Sequence, residues 1–131
     1  MSDQPLSVEV SAGELIDKIT ILEIKAERFT DPAQVENVRR ELSVLAAARD
    51  TAFGESDALG DLTADLKAVN ELLWQIEDDI RACERDQDFG KAFVELARAV
   101  YINNDDRATF KRRINALVGS RLVEEKSYTS Y

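Results

Sequence analysis

The sequence predicts an all-α protein, a bundle of about five helices with a long third helix and short extended segments at both ends. Hydrophobic residues make up 44% of the chain, while only 5 glycines and 2 prolines interrupt it. That composition provides enough apolar residues for a core, and it has too few turn residues for a β protein. Apolar residues recur at the helical spacings of three and four. With 131 residues, the chain is predicted to form a single helical domain, residues 1–131.

The first predicted elements are a short extended segment and a helix. Residues 6–10 alternate between apolar and polar side chains, which is the period-2 pattern of a short strand with one buried face. Ser11 followed by Glu14 predicts a capping box, in which each side chain satisfies a free amide of the first turn. The first helix is therefore expected from about residue 12 to residue 28.

The third helix has the clearest pattern. From Leu59 to Cys83 its apolar residues alternate between spacings of three and four, which is an uninterrupted a/d seam of the coiled-coil type. The predicted span, about residues 57–85, is roughly 43 Å long, whereas a compact domain of this size is roughly 28 Å across. The helix therefore either pairs antiparallel with the second helix or extends into a partner subunit. A homodimer is the expected state.

The remaining helices are predicted from their start and stop residues. The second begins at the pair Asp31-Pro32, with the aspartate as N-cap, and ends near Gly54. The fourth follows Asp88. The polar cluster 103–106 predicts a turn that caps a fifth helix over about residues 106–118, which Gly119 ends in a left-handed conformation. The last twelve residues either pair with the N-terminal strand or stay mobile.

Charge and composition exclude several classes of function. The net charge of −9 argues against nucleic-acid binding and against anionic membranes. No apolar run is long enough for membrane insertion, and the first residues lack a signal-peptide pattern, so a cytoplasmic protein is expected. Without histidine, the chain has no imidazole base and no catalytic triad. The single cysteine, Cys83, is expected to be buried in an apolar position. No catalytic residue is assigned.

The charge is unevenly distributed along the chain. Residues 1–97 carry 10 basic and 22 acidic side chains, whereas residues 98–131 carry 7 basic and 4 acidic ones. Arg107 and Lys111 are four residues apart and share one helix face. This pattern predicts an anion site for a phosphate or carboxylate group. The alternative is that these cations pair with the acidic third helix.

Two carboxylates complete the predicted site. Glu23 lies at the edge of the buried face of the first helix, so it needs either a basic partner in a structural ion pair or a ligand. Glu77 flanks the seam of the third helix near Trp74, where the alternative is a solvated acidic face. We expect the site between the first and fifth helices, with the cations taking negative charge and the carboxylates orienting hydroxyls or Mg²⁺. Its candidate residues are Lys18, Glu23, Glu77, Arg107, Lys111 and Lys126.

Four segments together resemble a bacterial family of unknown function whose members are encoded near surface-polysaccharide or glycosylation genes. The segments are GELIDKITILEIKAER (13–28), LWQIEDDIR (73–81), NDDRATFKRRIN (104–115) and GSRLVEEKSYTSY (119–131). The resemblance implies a bacterial cytosolic protein, an accessory to enzymes that handle sugars or nucleotide-sugars. No binding or catalytic residue carries over from that family.

Two enzyme families are similar over shorter stretches. The first helix resembles the opening helix of the helical chorismate mutases, and the acidic pairs resemble those of all-helical nucleotide pyrophosphohydrolases, which use Mg²⁺. The later helices lack a counterpart in the first case, and the order of acidic motifs differs in the second. The sequence therefore favours a non-catalytic binding or accessory protein without a cofactor. One expected partner is a second copy of the chain. The other is either a phosphorylated or carboxylated small molecule or a protein.

Overall fold

Residues 4–131 are described by the computed structural model, and within that range the chain forms four helices. The bounds are α1 (Ala12–Arg28), α2 (Pro32–Ala52), α3 (Asp57–Arg85) and α4 (Lys91–Val118). The all-α class is confirmed, but the predicted number of five helices is wrong. The expected fourth and fifth helices are one continuous helix, α4, which passes through the polar cluster 103–106 without a break.

The polar cluster does not end the helix because its side chains bond elsewhere. The Asn103 side chain donates back along the helix to the Ala99 carbonyl at 2.8 Å. The Asp105 carboxylate accepts hydrogen bonds from Lys126 and Tyr131 in the C-terminal tail, residues 120–131. Asn and Asp break helices when they cap local backbone groups. Here long-range partners and the preceding turn satisfy them instead.

The starts predicted for the first three helices are present. Ser11, Asp31 and Ser56 precede α1, α2 and α3, and each side chain accepts a backbone N–H three residues later at 3.1–3.2 Å. The Glu14 side chain, which the capping-box prediction directs back to Ser11, reaches Lys111 of α4 instead. At the other end of the fold, Gly119 has φ 68° and ends α4.

Helix α1 lies at the centre of the arrangement and packs against the other three helices. Its Ile16 and Ile19 form the core with Leu66 of α3 and Ile114 of α4. Among the described helices α2 packs on α1 alone, and α3 packs most extensively on α4, to which residues 86–90 join it. The antiparallel pairing of α3 with α2, one of the two predicted alternatives, is therefore wrong, because α3 packs on α4 and α1 instead.

Close approach of α1 to α4 requires a glycine at position 13. A Cβ atom on Gly13 would lie 2.4 Å from the Lys111 carbonyl oxygen, which is closer than real Cβ contacts permit. Because the two backbones touch here, the first turns of α1 face the last turns of α4 directly. The contact brings the acidic residues of α1 beside the basic residues of α4.

The two ends of the described chain meet beside this contact. Residues 4–10 have no regular secondary structure and no strand forms within residues 4–131, so the predicted N-terminal strand is wrong. Leu6 and Val8 are 93% and 73% exposed. Glu9 pairs with Arg121, and the Ala12 amide donates to the Ser120 hydroxyl at 3.1 Å. None of the described helices combines the length and apolar character needed to cross a membrane.

Candidate functional site

A cleft of about 920 Å³ lies between the start of α1, the C-terminal half of α4 and the C-terminal tail. The chain contains three tyrosines, Tyr101, Tyr128 and Tyr131, and all of them line this cleft. Tyr128 and Tyr131 are 83% and 79% exposed. Neither ring is covered by the core, and Lys126 Nζ lies over the Tyr128 ring, 5.2 Å from its centroid. The exposed parts of both rings are available to a ligand.

Lys111 lies at the floor of the cleft with its side chain only 10% exposed. Its Nζ contacts a Glu14 carboxylate oxygen at 2.8 Å and a Glu124 carboxylate oxygen at 2.6 Å. Burial disfavours the charged amine, but the hydrogen bonds with Glu124 and Glu14 outweigh it, and the pKa of Lys111 is raised. Lys111 therefore stays protonated, and its positive charge is shared by two carboxylates.

Arg107 lies one helical turn from Lys111 and binds the buried carboxylate of Asp17. The Arg107 Nε donates to Asp17 Oδ1 at 2.9 Å and its terminal nitrogen donates to Oδ2, in a bidentate pair. Asp17 is 2% exposed, and it also accepts from Asn70 of α3 at 2.9 Å. The hydrogen bonds with Asp17 raise the pKa of Arg107. This network joins α1, α3 and α4.

Asn115 continues the row one turn further, so residues 107, 111 and 115 share one face of α4. Its Oδ1 accepts the Gly13 backbone N–H at 2.7 Å. Its Nδ2 is buried and has no hydrogen-bond partner among residues 4–131. A buried donor left unpaired costs about 1–3 kcal/mol. The Asn115 amide is thus an unused donor in a side chain that lines the cleft.

The C-terminal tail forms the outer wall of the cleft and is held mainly by polar contacts. Asp105 accepts from Lys126 and, at 2.6 Å, from the Tyr131 hydroxyl. These two hydrogen bonds lower the pKa of Asp105, and the bond to Asp105 raises the pKa of Tyr131 to about 12. The Tyr131 ring also packs edge-on against Tyr101, with centroids 5.2 Å apart.

Arg107, Lys111 and Lys126, three of the six predicted site residues, line this cleft. Each already has a carboxylate partner, and these partners lie on α1, on α4 and in the tail rather than on the acidic α3. An anionic ligand that binds one of these three cations must therefore compete with its carboxylate partner. Arg112 also lines the cleft, where it donates to the Thr109 hydroxyl at 3.3 Å.

The other three predicted residues lie outside the cleft. Lys18 is exposed on α1, and Glu23 faces Lys67 of α3 at 4.0 Å, which is the structural ion pair considered as its alternative. Glu77 pairs with Arg81 at 2.7 Å on the surface of α3. It lines a smaller cavity of about 240 Å³ beside Trp74, and Arg107 lines this cavity too.

Asp17 and Asn115 are not among the six residues that the sequence predicted for the site. The available signal was the spacing of residues 107, 111 and 115, which places three donors on one face, but nothing in the sequence shows that the Asn115 amide is buried. Among residues 4–131, no group of three or more carboxylate or thiol side chains is arranged to hold a metal ion. The carboxylates that line the cleft include Glu14, Asp105 and Glu124, and each of these contacts a lysine.

The floor, wall and rim of the cleft therefore come from segments that are distant in the sequence. Residues 6–131 match the model of a family of unknown function, DUF6165. That range includes α1, α4 and the C-terminal tail. No curated protein and no solved structure is significantly similar to the chain. Because the family model covers nearly the whole chain, the protein belongs to DUF6165, a family of unknown function.

Proposed function

We propose that the protein is a non-catalytic binding protein whose cleft holds a phosphorylated or carboxylated small molecule. The observation that carries this proposal is the row of donors on the floor, formed by Arg107, Lys111 and Asn115. Small-molecule sites combine a concave surface with a few convergent polar groups. The cleft of about 920 Å³ has both, and its side chains donate as well as accept hydrogen bonds.

The wall of the cleft suits a ligand that also has an extended, partly apolar body. Exposed tyrosine rings bind flat or ring-shaped groups through their faces, and their hydroxyls add polar contacts. Asp105 and Glu14 supply acceptors for ligand hydroxyl groups on two sides of the cleft. A ligand with its anionic group at the floor and its hydroxyl-bearing body along the tyrosines would use all these features.

We also propose a setting for this activity, the bacterial cytoplasm, as an accessory protein in surface-glycan or nucleotide-sugar metabolism. This part rests on the resemblance of the four sequence segments to a family encoded near such genes. A sugar phosphate or a sugar acid has the anionic group and the hydroxyl-bearing body that the cleft accommodates. No cofactor is needed for binding of this kind.

The test is a thermal-shift screen of the purified protein, followed by calorimetric titration of each hit. The probes are inorganic phosphate, pyrophosphate, citrate and UDP-glucose, each with and without Mg²⁺. A ligand at 100 times its Kd stabilises the native state by about 2.7 kcal/mol, which raises the Tm of a domain of this size by about 5–15 °C. We expect at least one probe to produce such a shift.

The control variants separate binding at the cleft from binding elsewhere. Lys111→Met removes the buried floor cation, whereas Arg40→Met removes an exposed cation of α2 that pairs only with Glu36 among the described residues. The calorimetric affinity should fall in Lys111→Met and stay unchanged in Arg40→Met. A flat screen, or an affinity that Lys111→Met does not alter, would remove the basis of the proposal.

A further inference from the structure

We infer that the floor of the cleft is a carboxylate subsite, and that the Glu124 side chain of the tail stands in it for the carboxylate of a ligand. The inference rests on the proposed function and narrows it, because it selects a carboxylated small molecule over a phosphorylated one. It also assigns a role to Asn115, which the sequence analysis did not identify.

Two polar side chains at the floor of the cleft are almost fully buried. Lys111 has a side chain that is 10% exposed, and Asn115 is 4% exposed. Both lie on one face of α4, one turn apart, and both line the cleft. A ligand oxygen placed between the two side chains would accept from both.

The orientation of the Asn115 amide is fixed by the backbone of α1. Its Oδ1 accepts the Gly13 N–H at 2.7 Å, so the opposite end of the amide must be the NH₂ group. That NH₂ group is buried without a partner among residues 4–131. Buried donors in native proteins nearly always have an acceptor. The missing acceptor is what a ligand carboxylate would provide.

Glu124 shows how a carboxylate reaches the floor, and it is free to leave. Its oxygen lies 2.6 Å from Lys111 Nζ, yet its side chain is 58% exposed. Glu14, the second partner of Lys111, is 33% exposed and belongs to the rigid start of α1. Glu124 belongs to the tail, which has no helical or strand structure. The tail carboxylate is therefore the one that a ligand displaces.

The charge at the floor favours a carboxylate over a phosphate. Lys111 is shared by two carboxylates, and Glu14 remains when Glu124 leaves. When Glu124 leaves Lys111, one negative charge leaves with it, and a ligand carboxylate restores that charge. A phosphate monoester carries about −1.5 to −2 at neutral pH, so it would add negative charge directly beside Glu14. Like charges at hydrogen-bond distance oppose each other strongly when partly buried.

The test uses acetate and inorganic phosphate as probes at constant ionic strength, followed by NMR of the full ¹⁵N-labelled protein. We expect acetate to shift the Asn115 side-chain NH₂ resonances saturably, because its oxygen occupies the position between Asn115 and Lys111. In Glu124→Gln the internal competitor is lost, and the affinity for acetate should rise on the order of fivefold.

Glu125→Gln is the matched control. Glu125 is adjacent in sequence, carries the same charge and also lines the cleft, but among residues 4–131 it forms no ion pair with Lys111. Its affinity for acetate should equal that of the wild type. Equal affinities in Glu124→Gln and Glu125→Gln would overturn the stand-in role of Glu124.

The remaining outcomes separate this inference from the proposed function. If phosphate binds in a Lys111-dependent way while acetate does not, the carboxylate subsite is wrong and the anion site stands. If neither probe produces a saturable shift in any variant, the subsite is wrong, and the proposed function loses its support as well. An acetate response that persists in Asn115→Leu, with the fold intact by NMR, would overturn the role of Asn115.

Discussion

Asp17 holds the polar interior of the protein together. Its carboxylate is 2% exposed and accepts hydrogen bonds from Arg107 on one side and Asn70 on the other. A buried charge is tolerated only when its partners compensate for the lost hydration. Because Asp17 and these two partners lie on three different helices, the network fixes how α1, α3 and α4 are placed around the cleft.

Loss of the guanidinium should therefore destabilise the fold. Arg107→Met leaves the Asp17 charge buried without its cation, and we expect the free energy of unfolding to fall by about 3 kcal/mol. Arg40→Met is the control, because its pair with Glu36 is exposed and contributes well under 1 kcal/mol. Urea denaturation of both variants measures the difference. Equal midpoints would show that the Asp17–Arg107 pair does not hold the helices together.

The glycine at position 13 has a steric role that a second glycine does not share. A Cβ at Gly13 meets the Lys111 carbonyl oxygen at 2.4 Å, whereas a Cβ at Gly60 of α3 meets nothing within 4 Å. Gly13→Ala should lower the free energy of unfolding by about 1–3 kcal/mol because the helices must separate. Gly60→Ala should raise it by about 0.5–1 kcal/mol through helix propensity. Denaturation curves that move in the same direction would contradict this account.

At the scale of elements, the helix starts were predictable and the continuity of α4 was not. Ser11, Asp31 and Ser56 cap through their own side chains, and such local signals are present in the sequence. The cluster 103–106 has the same residue types, but its Asp105 bonds to a tail that lies some twenty residues further along the chain. Local pattern cannot distinguish a cap from a side chain with a distant partner.

A proline scan of α4 tests its continuity. Asp106→Pro should cost about 3 kcal/mol, because proline in a helix interior removes a hydrogen bond and clashes with the preceding turn. If a helix began at residue 106, proline would be tolerated there. Lys91→Pro is the control, because Lys91 is the first residue of α4. The helical circular dichroism and the Tm should change only in Asp106→Pro.

The attachment of the tail to α4 should depend on alkaline pH. The hydrogen bond to Asp105 raises the pKa of Tyr131 from 10.0 to about 12, so the neutral hydroxyl is favoured in the folded state. Its contribution is complete below pH 10 and is lost as the pH rises towards 12. Phenolate absorbance should show one tyrosine that titrates late.

The late titration should belong to Tyr131. It should be missing in Tyr131→Phe and should move back towards the ordinary tyrosine pKa in Asp105→Asn, because the carboxylate acceptor is then lost. A wild type without a late-titrating phenol would show that the tail is not held by this bond.

At the scale of the whole molecule, the charge asymmetry of the sequence identified part of the candidate site. Arg107, Lys111 and Lys126 lie in one cleft because the basic segment 98–131 folds back on itself through the tail. Lys18 and Glu23 were assigned by projecting α1 alone, and the packing of α1 against three helices directs them elsewhere. The role of Asn115 depends on an α1–α4 contact that no local pattern encodes.

The end of the α3–α4 hairpin lacks a covering layer. No residue from 77 to 110 is buried, although apolar side chains continue at helical spacing through the ends of α3 and α4. Phe89 and Val94 are 50% and 52% exposed. We propose that a second copy packs on this end of the α3–α4 hairpin and covers its exposed apolar side chains. The a/d seam of α3 does not supply this surface, because its Leu59, Leu66, Val69 and Ile76 are buried within the chain.

Sedimentation velocity tests this homodimer. The wild type should sediment as a dimer, and Phe89→Ser together with Val94→Ser should shift it to the monomer. Val44→Ser is the control, because Val44 is equally apolar and 64% exposed but lies on α2. A monomeric wild type, or dissociation by Val44→Ser as well, would contradict a dimer through the hairpin.

The unbroken α4 also limits how this fold tolerates insertions and deletions. Helix α4 carries the residues that anchor the tail, 101 and 105, and also the donors of the cleft floor, 107, 111 and 115. A single residue inserted after position 105 would rotate one set by about 100° relative to the other and displace it by about 1.5 Å. The floor would then face away from the wall. Length changes compatible with the cleft are therefore expected in the loops between helices, and α4 itself should accept substitutions but not indels.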